Sequence, residues 1–157
     1  MTKIKRDATI EISASAEQLW KILADDFTEV SKWVDAVNTS GPNPAAPKGL
    51  NGSKHGGRVC DVQGLGKTVE VLTAYDNEQQ TLSYSVAADN FPDFLVGIEN
   101  SWSVQALAPN QSKVTVSLTV DVDGDGSADS PQVQFAEQIA GSVNSAGQQL
   151  KSYVESL

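Results

Sequence analysis

The chain has 157 residues, a length that suits one domain spanning residues 1–157 with a sizeable core and leaves little room for two. Its net charge is -9, and its 11 Lys and Arg residues are scattered, so no basic patch is available for nucleic acid or an anionic membrane surface. The sequence therefore predicts no nucleic-acid partner, no membrane insertion, and a monomer or weak homodimer.

The amino-terminal stretch MTKIKRDATIEI has no long apolar segment behind it. This predicts neither a secretory signal nor a transmembrane span and, by default, a cytoplasmic location. Cys60 is the single cysteine, which rules out an internal disulfide and a thiolate metal cluster. A lone cysteine of this kind is usually a small buried residue.

Residues 8–13 alternate apolar and polar side chains, which is the period of a half-buried strand. The following stretch SASAEQLWKILADDF changes to helical spacing, with Ser15 as its N-cap, and residues 28–37, TEVSKWVDAV, predict a second short helix. The Pro, Gly and Asn content of residues 38–53 predicts a loop.

Five strand-like runs follow, separated by short turns: GGRVCDVQ, KTVEVLTAY, TLSYSVAA, FLVGIENSWSVQAL and SKVTVSLTVDV. Turns such as GLG and DNEQQ are typical of an antiparallel meander. In the last run, every second residue from Val114 to Val122 is apolar and the residues between them are polar. This alternation predicts a sheet with one buried and one solvated face.

The carboxy-terminal stretch SPQVQFAEQIAGSVNSAGQQLKSYVESL begins with helix-start signals, Ser130 as N-cap and Pro131 at the first helical position. Apolar residues then recur on one stripe, at Phe135, Ile139, Val143, Ala146, Leu150 and Val154. We predict one long amphipathic helix that lies on the sheet.

The order of these elements over the whole chain resembles the helix-grip fold of the START-like, or SRPBCC, superfamily, and in particular its bacterial polyketide cyclase/dehydrase-like group. The likeness lies first in ISASAEQLWKILADDFTEVSKWV, where a strand ends in a small-residue turn before a Leu-Trp helix. It continues in GGRVCDVQGLGKTVEVLTAYDNEQQTLSYSV, which is similar to the family's Arg strand, Gly-rich hairpin, Glu strand, Tyr-Asp turn and Tyr strand.

This resemblance implies an α+β fold in which a curved antiparallel sheet of about seven strands wraps around a long C-terminal helix, with two short helices after the first strand. It also implies a cavity between sheet and helix that holds a small hydrophobic, amphipathic or aromatic molecule. A carrier or sensor is the first hypothesis, and a polyketide cyclase/dehydrase-type enzyme with acid and base residues in the cavity is the alternative. Fold alone is weak evidence for either function. No cofactor is predicted.

Glu70 is the first candidate for a ligand contact. It shares a strand face with Thr68 and Leu72, and alternation alone leaves open whether that face is buried or exposed. The resemblance favours the cavity, where a carboxylate in apolar surroundings is suited to bind a ligand or to move a proton.

Tyr84 lies on an apolar strand face, where its hydroxyl needs a partner. In a hairpin centred near Asn77, Glu70 and Tyr84 lie close to cross-strand register, so we expect them to be neighbours on one face. We also expect Glu70→Gln to weaken ligand binding with little loss of fold. The full set of predicted ligand contacts is Cys60, Glu70, Leu72, Tyr84, Trp102, Phe135, Ile139 and Val143, and no catalytic residue is assigned.

Arg58 and His55 lie near the start of the third strand. A buried arginine there would anchor a ligand carboxylate or enolate, but the sequence favours a solvated or paired surface charge. His55 is the single histidine and has a polar, glycine-containing neighbourhood, so we expect it to be exposed and a histidine metal site or catalytic triad is disfavoured.

The motif GLGKT is not a phosphate-binding loop, because Asp61 occupies the position where that motif requires its first glycine and an alternating strand follows. It predicts a hairpin. By resemblance to plant hormone receptors of the superfamily, Gly64, Leu65 and Gly66 are a candidate gate loop over the cavity mouth, with a simple tight turn as the alternative.

The stretch DVDGDGSADSPQ, residues 121–132, begins like a calcium loop, with oxygen ligands and glycine at Asp121, Asp123, Asp125, Gly126, Ser127 and Asp129. Its twelfth residue is Gln132 in place of the bidentate glutamate, and no helix precedes it. We therefore predict no metal site and an acidic connection that leads into the amino terminus of the last helix, where carboxylates are favoured, with a strand-loop-helix calcium loop as the alternative.

Overall fold

The computed structural model describes residues 1–46 and 49–157, and over these residues seven strands form one antiparallel sheet. The strands are β1 Thr2–Ile12, β2 Val37–Pro42, β3 Gly57–Val62, β4 Gly66–Asp76, β5 Thr81–Ala88, β6 Leu95–Ala108 and β7 Gln111–Val122. Their order across the sheet is β1-β7-β6-β5-β4-β3-β2, which makes β1 and β2 the two edges.

The helical segments lie on one side of this sheet. Helix α1, Ala16–Trp20, is capped by the Ser15 hydroxyl and continues as a π-helical turn, Lys21–Asp25, before a 3₁₀ helix, Phe27–Lys32. A short 3₁₀ turn spans Leu50–Gly52. The carboxy-terminal segment consists of α2, Pro131–Ala140, and α3, Val143–Glu155.

Two helical layers cover the two ends of the sheet. Helices α2 and α3 pack on β1 and β7, whereas the 3₁₀ helix Phe27–Lys32 packs on β2 and β3. The apolar residues of β7 point to this covered side, and Val114, Val116, Val120 and Val122 are almost fully buried. This confirms the α+β helix-grip class, the sheet of about seven antiparallel strands and the short helical segments after the first strand.

One predicted loop is wrong over its first part. Residues 38–53 were expected to be irregular, but Val37–Pro42 forms strand β2 and pairs with β3. The stretch has no alternating pattern because it is an edge strand, hydrogen-bonded on one side, where Pro42 removes no ladder bond that the sheet needs.

The carboxy-terminal helical segment is interrupted where one continuous helix was predicted. The amide and the hydroxyl of Ser142 both hydrogen-bond to the Ile139 carbonyl oxygen, at 3.1 and 2.8 Å. This tightens the chain at Gly141, a residue that tolerates irregular backbone, and α3 restarts at Val143.

Strand β4 carries a bulge between Leu72 and Ala74. Because of this extra residue, Tyr84 lies opposite Leu72, and Glu70 lies opposite Val86. The hairpin is centred between Glu78 and Gln79 and not at Asn77, so Glu70 and Tyr84 are two residues away from direct pairing, and both side chains are buried on the same face.

No helix within residues 1–46 and 49–157 is both long enough and apolar enough to cross a membrane.

Candidate ligand-binding site

A cavity of about 180 Å³ lies between the two helical layers and the centre of the sheet. Its apolar lining is formed by Ile22, Leu23, Phe27, Val30, Trp33, Val34, Val37, Leu82, Val86, Trp102, Val116, Leu118 and Ala146. Its polar lining is formed by Asp26, Arg58, Cys60, Glu70, Tyr84, Asn100 and Ser142. A mostly apolar wall with a few polar groups is typical of small-molecule sites.

The size of the cavity limits what it holds as it stands. A protein cavity of about 150 Å³ admits one benzene molecule. A volume of about 180 Å³ therefore corresponds to one six-membered ring with a small substituent.

A buried ion pair forms the polar wall. Arg58 on β3 is registered directly opposite Glu70 on β4, and the Arg58 Nε donates to Glu70 Oε1 at 2.8 Å. Both side chains are less than a tenth exposed. Arg58 Nη1 also donates to the carbonyl oxygen of Phe27 at 3.0 Å, which ties the pair to the helical layer. Pairing and hydrogen bonding of this kind make buried charges tolerable.

Two aromatic rings hold the guanidinium group of Arg58 in place. Its Cζ lies 4.1 Å from the ring centroid of Phe27 and 4.7 Å from that of Tyr84. Phe27 and Tyr84 in turn pack edge to face, with 5.3 Å between centroids. Cation–π contacts strengthen when they are desolvated, so this arrangement fixes the guanidinium plane.

The electrostatics of the site keep Arg58 charged. Burial by itself lowers the pKa of Arg58, but the Glu70 carboxylate, together with Tyr84 and Cys60, more than offsets this effect, and the pKa lies above its usual range. Arginine has five N–H donors, and described residues accept two of them. Arg58 also lines the cavity.

A hydrogen-bond chain runs along the same wall. Tyr84 donates its hydroxyl proton to Asn100 Oδ1 and accepts from Trp102 Nε1 at 3.3 Å, and Asn100 Nδ2 donates to the Ser117 carbonyl at 2.8 Å. Burial raises the pKa of Tyr84 to about 12, so the phenol is neutral at physiological pH. Its proton is already engaged by Asn100.

Cys60 adds a thiol next to the ion pair, with its Sγ 3.8 Å from Glu70 Oε2. Burial, followed by the nearby Glu70 carboxylate, raises the pKa of the thiol to about 11. Since the thiolate is the nucleophilic form, Cys60 is a poor nucleophile at neutral pH.

The structure brings half of the predicted ligand contacts together. Cys60, Glu70, Tyr84 and Trp102 line the cavity, whereas Leu72, Phe135, Ile139 and Val143 do not. Leu72 and Val143 are buried elsewhere in the core, and Phe135 packs edge to face on Phe94 at 5.5 Å. On the helix side Ser142, next to the interruption, and Ala146 line the cavity, so Ala146 is the member of the predicted stripe that reaches it.

Arg58 is the main residue that the sequence argument misjudged, since it is buried and paired instead of lying at the surface. A signal was available: the short GLG turn places Arg58 opposite Glu70 in the hairpin, and a buried glutamate needs a cationic partner. His55 is half-buried, with its Nε2 3.2 Å from the Asp25 carbonyl oxygen.

The hairpin prediction for GLGKT is confirmed, because Gly64 lies in the turn between β3 and β4, and the conformations of Gly64 and Gly66 have positive φ. The Leu65 carbonyl accepts a hydrogen bond from Asn90 Nδ2 at 2.8 Å, which ties this turn to the β5–β6 connection. None of the three gate candidates lines the cavity, and their gate role stays a prediction.

In the acidic connection after β7, a carboxylate oxygen accepts hydrogen bonds from the same segment. Asp125 Oδ1 accepts from the amide and the hydroxyl of Ser127, at 3.0 and 2.8 Å, and these bonds lower the pKa of Asp125. Among the residues that the structure describes, no group of three or more His, Cys, Asp or Glu side chains is arranged to hold a metal ion.

Comparison with known structures shows a similar fold in other proteins. A START superfamily protein from Mycobacterium smegmatis shares 20% sequence identity, with a TM-score of 0.72 and 97% of each chain covered. Ara h 8.0201 shares 20% identity at a TM-score of 0.70, over 99% of this chain and 100% of that one. The di-domain ARO/CYC BexL from the BE-7585A biosynthetic pathway shares 13% identity at a TM-score of 0.71, and the match covers 99% of this chain and 47% of the other.

Identities this low establish the fold alone, and no curated protein matches the chain. Residues 3–155 match the model of a family described as polyketide cyclase / dehydrase and lipid transport. Because that match spans nearly the whole chain, the protein belongs to the polyketide cyclase / dehydrase and lipid transport family.

Proposed function

We propose that this protein binds a small molecule with one apolar ring and a hydrogen-bond acceptor, and holds it in the cavity as a carrier or sensor. The observation that carries the proposal is Arg58, fixed by Glu70 and two aromatic rings, with further donors at the wall of a ring-sized apolar cavity. Because Glu70 already neutralises Arg58, a neutral acceptor such as a ketone suits the site better than a second anion.

A matched pair of ligands tests this proposal. Acetophenone carries a ring and a carbonyl oxygen, and ethylbenzene has nearly the same shape without the acceptor. We expect acetophenone to bind more tightly, by about one hydrogen bond to a charged donor, or roughly tenfold. Trp33 and Trp102 line the cavity, so tryptophan fluorescence and calorimetry are suitable readouts.

A variant whose cavity is filled by a larger side chain, compared with a matched surface variant, is the protein control. Ala146 lines the cavity at the start of α3, whereas Ala106 on β6 is exposed. Ala146→Leu should abolish binding of both ligands, and Ala106→Leu should leave it unchanged. Acetophenone binding that survives Ala146→Leu, or no binding by the unmodified protein, would contradict the proposal.

An enzyme of the cyclase/dehydrase type is the second candidate, and the convergence of Cys60, Glu70 and Tyr84 on one wall favours it. Two observations weigh against it: Glu70 is bound to Arg58, and the Tyr84 proton is donated to Asn100. A cavity of about 180 Å³ also admits a single ring, not a folded poly-ketone chain.

A small substrate decides between the two candidates. 3-Hydroxycyclohexanone fits a one-ring cavity and loses water to give the conjugated cyclohexenone when a base removes the proton next to the carbonyl. The carrier hypothesis predicts no enone formation above the buffer rate. Enone formation that is catalysed by the protein, and lost in a Glu70→Gln variant that is still folded, would establish the enzyme instead.

A further inference from the structure

Trp33 separates the inner cavity from a second depression on the outside of the molecule. It lines both the cavity of about 180 Å³ and an open groove of about 450 Å³. We call the second depression the outer groove. It is lined on one side by Lys32, Trp33 and Asp35, and on the other by the α3 residues Ser145, Gln148, Gln149, Ser152 and Tyr153.

The chemistry of the outer groove differs from that of the cavity. The five α3 residues follow helical spacing and lie on one face, where they present amide, hydroxyl and phenol groups. Gln149 is engaged by the Asp35 amide at 2.7 Å and by Ser145 at 2.8 Å. Gln148 and Ser152 are exposed, and within the described residues their side chains make no hydrogen bond to protein.

The groove carries no excess of charge that would select an ion. Lys32 at its rim is paired with Glu29, and Asp35 is the carboxylate at the same rim. Neutral donors and acceptors therefore dominate the surface that a ligand would meet.

Trp33 is the described residue that the linings of the two spaces have in common. Trp33 is 8% exposed and packs edge to face on Trp102, with 5.7 Å between ring centroids. No described residue accepts a hydrogen bond from its indole N–H, and this nitrogen is not fully buried. The chain beyond Trp33 is held to α3 by the bond from the Asp35 amide to Gln149.

We propose that the outer groove is the outer half of the ligand site, reached past Trp33. The ligand is then amphipathic, with its ring in the inner cavity and an uncharged tail of hydroxyl or amide groups along the α3 face. The inference rests on the proposed function for the ring half. Small-molecule sites commonly measure about 300–1,000 Å³. The inner cavity falls below that range, and the groove supplies the missing volume.

The route past Trp33 is tested without any ligand, because Cys60 is the single cysteine and lies in the inner cavity. Methyl methanethiosulfonate forms a mixed disulfide with the thiol and releases methanesulfinate, and intact-mass measurement at a fixed pH gives the rate. Trp20, at 6% exposed, is the matched control, since it is a buried tryptophan of the same helical region that does not line the cavity.

We expect Cys60 to be labelled at least about tenfold faster in Trp33→Ala than in Trp20→Ala. The reason is that access to Cys60 depends on local opening and not on global unfolding. In Leu65→Ala, at the candidate gate loop, Cys60 should be labelled at the same rate as in the unmodified protein. Equal rates for the two tryptophan variants, or a faster rate in Leu65→Ala alone, would overturn the route.

The class of ligand is tested with 4-acetylphenyl β-D-glucopyranoside, which is acetophenone with a neutral hydroxylated tail. Two new hydrogen bonds should make it bind about tenfold more tightly than acetophenone. Gln148→Ala/Ser152→Ala should remove this gain and leave acetophenone affinity unchanged. The outer half of the site is overturned if the glucoside binds more weakly than acetophenone. It is also overturned if the glucoside keeps its higher affinity in the double variant. If neither compound binds, the proposed function and the ligand class both fail, while the Cys60 rates still decide the route.

Discussion

Arg58 and Glu70 stand directly opposite each other on β3 and β4, and their side chains meet at 2.8 Å inside the molecule. Each charge is desolvated, so each depends on the other. The pair is therefore both the polar feature of the cavity and a sensitive point of the fold.

We expect Glu70→Gln to lower the free energy of unfolding by about 3–5 kcal/mol, because it leaves the buried Arg58 guanidinium without its counter-charge. Arg58→Met/Glu70→Met should recover most of that loss, since it removes both charges. Urea unfolding followed by tryptophan fluorescence measures both values. Equal destabilisation by the single and the double variant would show that the pair is not the cause.

Tyr84 predicts a loss of stability at high pH. Its pKa is about 12 in the folded protein against 10.0 for an unperturbed tyrosine. Above pH 10 the unfolded chain releases this proton while the folded protein retains it, so stability present below pH 10 is lost as the pH rises toward 12. The loss is on the order of 3 kcal/mol. Tyr84→Phe should remove this part of the pH dependence, and identical pH profiles for the two proteins would contradict the assignment.

Gly57 predicts a steric requirement at the start of β3. A Cβ atom at this position would lie 2.3 Å from the backbone oxygen of Glu70. Gly57→Ala should therefore destabilise the protein by about 1–3 kcal/mol, since the strands must move apart. Gly41→Ala on edge strand β2 is the control, because a Cβ there meets nothing within 4 Å. A shared urea midpoint for the two variants would refute the requirement.

The acidic connection predicts no calcium-dependent stability. Asp125 is engaged by Ser127, and Gln132 takes the place of the bidentate glutamate of a calcium loop. Thermal melts with excess calcium and with a chelator should coincide. A rise of many degrees with calcium that disappears in Asp123→Asn/Asp125→Asn would reveal a bound ion.

Much of the sheet could be predicted because one face is buried. In β7 the buried valines from Val114 to Val122 alternate with less buried polar residues, and this produces a clear period of two. Strand β2 escaped prediction for the opposite reason: VNTSGP at the sheet edge buries little and includes a glycine and a proline.

The site was harder to predict because it depends on two local irregularities. The turn after β4 is centred between Glu78 and Gln79, and the bulge in β4 then shifts the register by one residue, which places Glu70 and Tyr84 on the same face. The Ser142 contacts to Ile139 change the helix face that reaches the cavity. Periodicity gives no warning of either feature, because each depends on a single residue.

The expectation that Glu70→Gln leaves the fold intact is revised for a similar reason. From the sequence, Glu70 was a lone polar group that faced a ligand, and its protein partner was not identified. The contact with Arg58, twelve residues earlier in the chain, converts the same substitution into a loss of stability.

The bulge in β4 divides that strand between two tasks. Before the bulge, Glu70 faces the ligand cavity; after it, Tyr75 is buried, whereas regular alternation would have directed it outward with Thr73. Tyr75 packs on Trp20 at 5.6 Å, and both side chains contact the Asn77 side-chain oxygen. The bulge thus lets one strand bury Glu70 in the cavity and Tyr75 beneath α1, at two positions that a regular strand would place on opposite faces.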